Sequence, residues 1–84
     1  MLNQVILVGR VNKLDREAGI VSITIKRPND EEVDLIPVKL NDGLMENILG
    51  YLIEGTTIGV KASLNIDNDI LRIIGEKITF IEKK

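Results

Sequence analysis

Apolar and polar residues alternate along most of this chain. Val21, Ile23 and Ile25 fall on one side of a segment whose other side is Ser22, Thr24 and Lys26. A period of two is the repeat of a β-strand, in which successive side chains point to opposite faces. The same pattern returns at Ile36, Val38 and Leu40 against Leu35, Pro37 and Lys39. It returns again at Ile58, Val60, Ala62, Leu64 and Ile66 against Gly59, Lys61, Ser63 and Asn65. Each apolar set is expected to face a core. Proline donates no hydrogen bond to a ladder, so Pro37 belongs at a sheet margin or a bulge. Asp67-Asn68-Asp69 has turn chemistry, and Ile70 to Ile74 followed by Lys77 to Ile81 reads as the returning arm of a hairpin, interrupted at Gly75. Val5, Ile6, Leu7 and Val8 are different, being consecutive apolar residues. Both faces of that strand are expected to be covered, which makes it central or a subunit contact.

One segment keeps helical time instead. Leu44, Met45, Ile48, Leu49, Tyr51 and Leu52 recur at spacings of three and four, with Asn41 and Asp42 as candidate caps and Gly55 as terminator. The order is strand, strand, strand, helix, strand, strand, within 84 residues that make one domain, 1–84. An all-β chain with one helix between strands 3 and 4 has the order of the OB-fold, a five-stranded Greek-key barrel that binds oligonucleotides or oligosaccharides with strands 2 and 3 and the loops 1-2 and 4-5. The expected core is aliphatic, from 14 Ile, 10 Leu and 7 Val against one Tyr and one Phe. Tyr51 and Phe80 are both read as core residues.

Composition removes most chemistry. There is no Cys and no His, so cysteine nucleophiles, zinc-thiolate sites and the commonest general base are all absent. A serine nucleophile has no histidine to activate it. Asp30, Glu31, Glu32 and Asp34 lack the spacing of a calcium loop, and Gly9-Arg10 is not followed by the Lys-Ser/Thr of a phosphate loop. The chain is therefore expected to be no enzyme, with no metal and no cofactor. No apolar run is long enough to span a membrane and no signal peptide opens the chain, which gives a cytoplasmic expectation. The formal net charge is −2 but uneven. Residues 1–27 carry Arg10, Lys13, Arg16, Lys26 and Arg27 against two anions, whereas 28–56 carry Lys39 against seven.

Four blocks, in order, carry a resemblance. Leu2-Asn3-Gln4-Val5-Ile6-Leu7-Val8-Gly9-Arg10-Val11 is similar to the opening of bacterial single-stranded DNA-binding proteins, which commonly begin Met-Leu-Asn, a hydrophobic strand, then Gly-Arg or Gly-Asn. Asp34-Leu35-Ile36-Pro37-Val38 resembles that family's third strand. Glu46-Asn47, and then Tyr51-Leu52 with Gly55, resemble its helix and helix exit. The resemblance covers nearly the whole chain. It implies an OB-fold that binds single-stranded DNA without marked sequence preference, in replication, repair or mobile-element maintenance. It also implies a homo-oligomer, dimer or tetramer, assembled through Val5, Ile6 and Val8 of the first strand, with replication proteins as possible partners. The chain stops at Glu82-Lys83-Lys84, without the acidic tail the family usually adds, and looks like a minimal, tail-less member akin to primosomal replication proteins.

Where that family stacks bases on aromatics, this sequence has Leu35 and Asn41 at the matching outward positions, and none near Arg27 or Asn68. Binding is then expected to lean on phosphates. The candidate cations are Lys26 and Arg27 at the end of strand 2, Lys39 and Lys61 on the outer sides of strands 3 and 4, and Arg72, with Arg10, Lys13 and Arg16 flanking loop 1-2. The competing reading is a protein-interaction or accessory replication module that has lost DNA binding. The missing aromatics and the acidic middle segment favour that version.

Overall fold

A computed structural model of the protein describes residues 3–29, 31–41, 43, 44, 46 and 52–82. Five strands form: β1 (Val5–Asp15), β2 (Ile20–Lys26), β3 (Val33–Leu40), β4 (Thr57–Asp67) and β5 (Ile70–Glu82). They close into a barrel in the order β1-β2-β3-β5-β4, with β4 returning to β1. This is the five-stranded all-β barrel that the alternation predicts, with the connectivity of an OB-fold.

β1 changes partner along its length. Val5 to Arg10 pair with β4, and Arg10 to Asp15 pair with β2, with a register break between Val11 and Lys13 that lets the strand bend from one side of the barrel to the other. Gly9 sits at the changeover. A Cβ there would lie 2.5 Å from the carbonyl oxygen of Thr24, so only glycine lets β1 and β2 come this close. The barrel closes through a short parallel ladder, Lys39 opposite Ile74 and Leu40 opposite Gly75. A Cβ on Gly75 would stand 3.0 Å from a Leu40 methyl and 3.1 Å from a Val38 methyl, so the predicted interruption at Gly75 is where β5 leans onto β3. The extra residue opposite β4 follows it, since Ala62 pairs with Gly75 and Lys61 with Lys77.

The core is aliphatic: Val11, Val21, Ile23, Val38, Leu40, Leu52, Ile58, Val60 and Ala62, with Phe80 packed against it. β2 and β3 point their alternating sets as the sequence predicts, Val21 and Ile23 inward with Val38 and Leu40. One expectation is corrected. Leu64 and Ile66 continue the inward series of β4 but are exposed, because the β4–β5 hairpin runs past the barrel. Val5 and Leu7 pack on the core, and Ile6 and Val8 face outward, 77% and 53% exposed in the single chain. Of the two placements expected for the first strand, the single chain therefore does not give the one in which its own neighbours cover both faces.

Local hydrogen bonds fix the ends. Asn3 donates from Nδ2 to the Leu64 carbonyl (2.7 Å) and accepts from the Leu64 N–H (2.9 Å), which extends the β1–β4 pairing by a side chain acting as a strand residue. Asn68 and Asp69 both take positive φ, 51° and 64°, in a two-residue loop between the paired Asp67 and Ile70. That is the type I′ geometry matched to the twist of a hairpin. Asn41 accepts a hydrogen bond from the Leu44 N–H at 2.7 Å, as a helix N-cap does, and Gly43, Leu44 and Glu46 have helical backbone. Most of the predicted helical segment, Tyr51 included, lies outside the described residues. Among the described residues no helix is long and apolar enough to cross a membrane, and no cluster of acidic side chains is arranged to hold a metal ion.

Candidate nucleic-acid interface

The ladders between β1, β2 and β3 assemble the outward residues into rows. Arg10, Thr24 and Leu35 form one row, and Lys13, Ser22 and Pro37 the next. Lys26 opposite Val33 extends the face at one end, and Asp15, Ile20 and Lys39 extend it at the other. Four of the predicted cations, Arg10, Lys13, Lys26 and Lys39, thus share one curved surface. Aliphatic side chains stand between them. Leu35 is 56% exposed and Val33 is exposed beside it, so apolar surface does occupy the platform, without aromatic rings. Arg10, Thr24, Lys26 and Val33 line a shallow hollow with Val8, Gly9 and Thr57.

At the Lys39 end the β4–β5 hairpin rises beside this face. Lys39 and Arg72 line one depression with Glu17, Asn65 and Asp67. The Lys39 ammonium donates to the carbonyl of Ala18 in the β1–β2 turn, and Arg72 Nε lies 3.5 Å from an Asp67 carboxylate oxygen. An ammonium has three donors and a guanidinium five, so both keep donors for a ligand.

The remaining predicted cations divide differently. Lys61 is outward on β4, but its neighbours are Ile6 and Lys77, which puts it on the β1–β4–β5 side, away from the rows. Gly59 on that side is covered by Ile81 and Val8 and offers no open approach to a nucleic-acid backbone. Arg10 lies in mid-strand, not beside loop 1-2. Arg16 is in that turn but shares a depression with Leu14, Leu52, Ile53 and Glu54. Asn41, read as an outward platform position, is used as the cap described above.

Arg27 is engaged within the β2–β3 loop. Its guanidinium reaches Glu32 at 3.0 Å and Asp34 at 2.9 Å, the latter through two nitrogens. Hydrogen bonding from Arg27 holds the Asp34 carboxyl below its ordinary pKa, and the same bonds with the Asp34 charge raise that of Arg27. The basic and acidic segments of the sequence meet at this loop and compensate each other.

Val33, Lys77 and the hairpin residues Ile70, Leu71 and Ile73 carry no signal in the sequence that marks them as site residues, although the last four lie in the expected hairpin arm. The available signal was the two-residue turn at Asn68-Asp69, which fixes the hairpin register and with it the length of the arm.

No family model and no curated protein matches this sequence. Solved structures do share the fold. The mitochondrial single-stranded DNA binding protein from S. cerevisiae is similar over 100% of this chain and 99% of its own, with a TM-score of 0.83 at 16% identity. The dimeric N-terminal domain of the PriB protein from Thermoanaerobacter tencongensis matches over 96% of this chain and 98% of that one, with a TM-score of 0.73 at 23% identity. A replication protein A heterotrimer bound to single-stranded DNA matches 98% of this chain over 60% of its own, with a TM-score of 0.65 at 15% identity. At these identities the likeness establishes a common fold.

Proposed function

We propose that this protein binds single-stranded DNA with little sequence preference, as a cytoplasmic, non-enzymatic component of DNA replication or maintenance. The observation that carries the reading is the strand register that gathers Arg10, Lys13, Lys26 and Lys39 on the outer face of β1, β2 and β3. Arg72 of the hairpin flanks that face. Regularly spaced cations around exposed aliphatic side chains suit a flexible polyanion whose bases turn toward the protein. The names of the similar structures, which bind single-stranded DNA, support the same reading. Stacking on aromatics contributes roughly 1–3 kcal/mol per base, so a face without them depends on phosphate contacts and its affinity falls steeply with salt.

Assembly belongs to the same proposal. Ile6, Val8 and Ile81 form an exposed apolar strip around Gly59 on the β1–β4–β5 side, away from the cation rows. That strip suits a second copy of the chain and a dimer or tetramer, and the similar PriB domain is described as dimeric. A helix between β3 and β4 is the finer detail of the fold we add.

Anisotropy of a labelled oligo-dT, titrated at low and moderate salt, tests the binding. The expected result is association that weakens with salt. Absence of binding at about 20 mM salt and high protein concentration overturns it. Light scattering tests the assembly: a multiple of the single-chain mass is expected, lost in Ile6→Glu, and a wild-type mass of one chain removes that part.

A further inference from the structure

The β3–β5 ladder has two residue pairs, Lys39 with Ile74 and Leu40 with Gly75. Beyond them the strands part, and the gap is a slot of about 170 Å³. Ile20 and Pro37 form one wall, and Ile70, Leu71 and Ile73 the other. Lys39 and Arg72 stand at the same slot. Ile70 and Leu71 are large aliphatic side chains left exposed, 55% and 58%.

Resting on the single-stranded DNA reading above, we infer that this slot seats one base of the bound strand and that its aliphatic walls favour thymine over uracil. Three features point to a base. The walls are apolar on both sides, and Pro37 brings a ring with no backbone donor to satisfy. Between Ile70 and Ile73 the ladder partners of β5 all lie on β4, so the edge facing the slot has main-chain donors and acceptors to offer the polar rim of a base. The two cations beside it suit the phosphates on either side of a seated nucleotide, while the walls themselves carry no charge. The occupant that fits has a flat apolar body, a polar edge and anionic flanks.

Aliphatic walls recognise differently from aromatic ones. An aromatic platform accepts any base because every base has a π-face. A slot of Ile, Leu and Pro gains instead from the apolar area it covers, and the C5-methyl is the apolar group that thymine has and uracil lacks. Burying one methyl is worth about a fourfold difference in affinity per occupied slot.

The test compares labelled oligo-dT with oligo-dU of the same length and backbone, at one salt concentration, on the full chain. Oligo-dT is expected to bind about fourfold tighter. Leu71→Ser should bring the ratio close to one, and Ile53→Ser, a similarly exposed aliphatic that does not line the slot, should leave it as in wild type. Equal affinity for the two oligonucleotides, or a ratio that survives Leu71→Ser, overturns the slot while leaving single-stranded DNA binding in place. Failure to bind either oligonucleotide overturns both.

Discussion

The cation rows make a quantitative prediction about salt. Arg10, Lys13 and Lys26 are exposed, and among the described residues none of the three is held in an ion pair. With Lys39 and Arg72 they make five cations able to meet phosphates along one path. If each neutralises one phosphate of a single strand, the slope of log affinity against log salt is about −3.5, which is roughly a hundredfold loss between 50 and 200 mM. Replacing Arg10, Lys13 and Lys26 together by Gln leaves two contacts and a slope of about −1.4. The melting temperature should hardly change, because exposed substitutions of this kind usually lie within about 0.5 kcal/mol of neutral. Lys61→Gln with Lys77→Gln removes two charges from the other side of the barrel and should leave the slope as in wild type. The assay is anisotropy of a labelled oligo-dT at five or six salt concentrations for each protein. A triple variant that keeps the wild-type slope, or a Lys61/Lys77 variant that flattens it, would refute the assignment of the binding face.

Three further outcomes follow from the geometry. Gly9→Ala should cost about 1–3 kcal/mol in chemical denaturation, because its Cβ would press on the backbone carbonyl of Thr24 and not on a side chain able to move; a wild-type midpoint would show that β1 and β2 can separate there freely. Asp69→Gly should stabilise the fold by on the order of 0.5 kcal/mol, since glycine takes the 64° φ without the steric penalty of a side chain, partly offset by its larger entropy loss; a loss of stability would refute the turn assignment. Asp34 should titrate by NMR at lower pH than an ordinary aspartate and move back up in Arg27→Gln. Because its folded-state pKa is depressed, the contribution of this pair is present above the unfolded-state value and is lost as pH falls through the folded-state value, so wild type and Arg27→Gln should converge in acid; an unchanged Asp34 midpoint in the variant would discount the pairing.

Alternation told which side of each strand faces the barrel, and in β2 and β3 that was enough to identify the buried residues. It does not tell what covers that side. Leu64 and Ile66 keep the inward phase of β4, but a strand of 11 residues outruns the core beneath it, and the last turns of the pattern project into solvent. Nor does alternation distinguish one outer side of a closed barrel from another. Lys39 and Lys61 are equally outward in sequence, and only the ladders assign Lys39 to the β2–β3 face and Lys61 to the neighbourhood of Ile6 and Lys77. Arg27 escaped for a different reason: its partners lie five and seven residues away, across a loop whose closure depends on the β2–β3 register.

The clustering of apolar residues at the start of β1 has its explanation in the same register. A strand that pairs with β4 over its first half and β2 over its second presents its outward residues to two different sides of the barrel. Ile6 and Val8 fall on the first side, with Ile81 beside them, whereas Arg10 and Lys13 fall on the second, with Thr24 and Ser22. Gly9 stands between, where β1 is pressed onto Thr24 and no side chain fits. One strand thus carries an exposed apolar surface on one side of the barrel and a basic surface on another. The change from Val8 to Arg10 in the sequence coincides with the change of partner. Substitutions at Ile6 and Val8 should therefore alter assembly, and those at Arg10 and Lys13 should alter salt-dependent binding, although all four lie within eight residues of one strand.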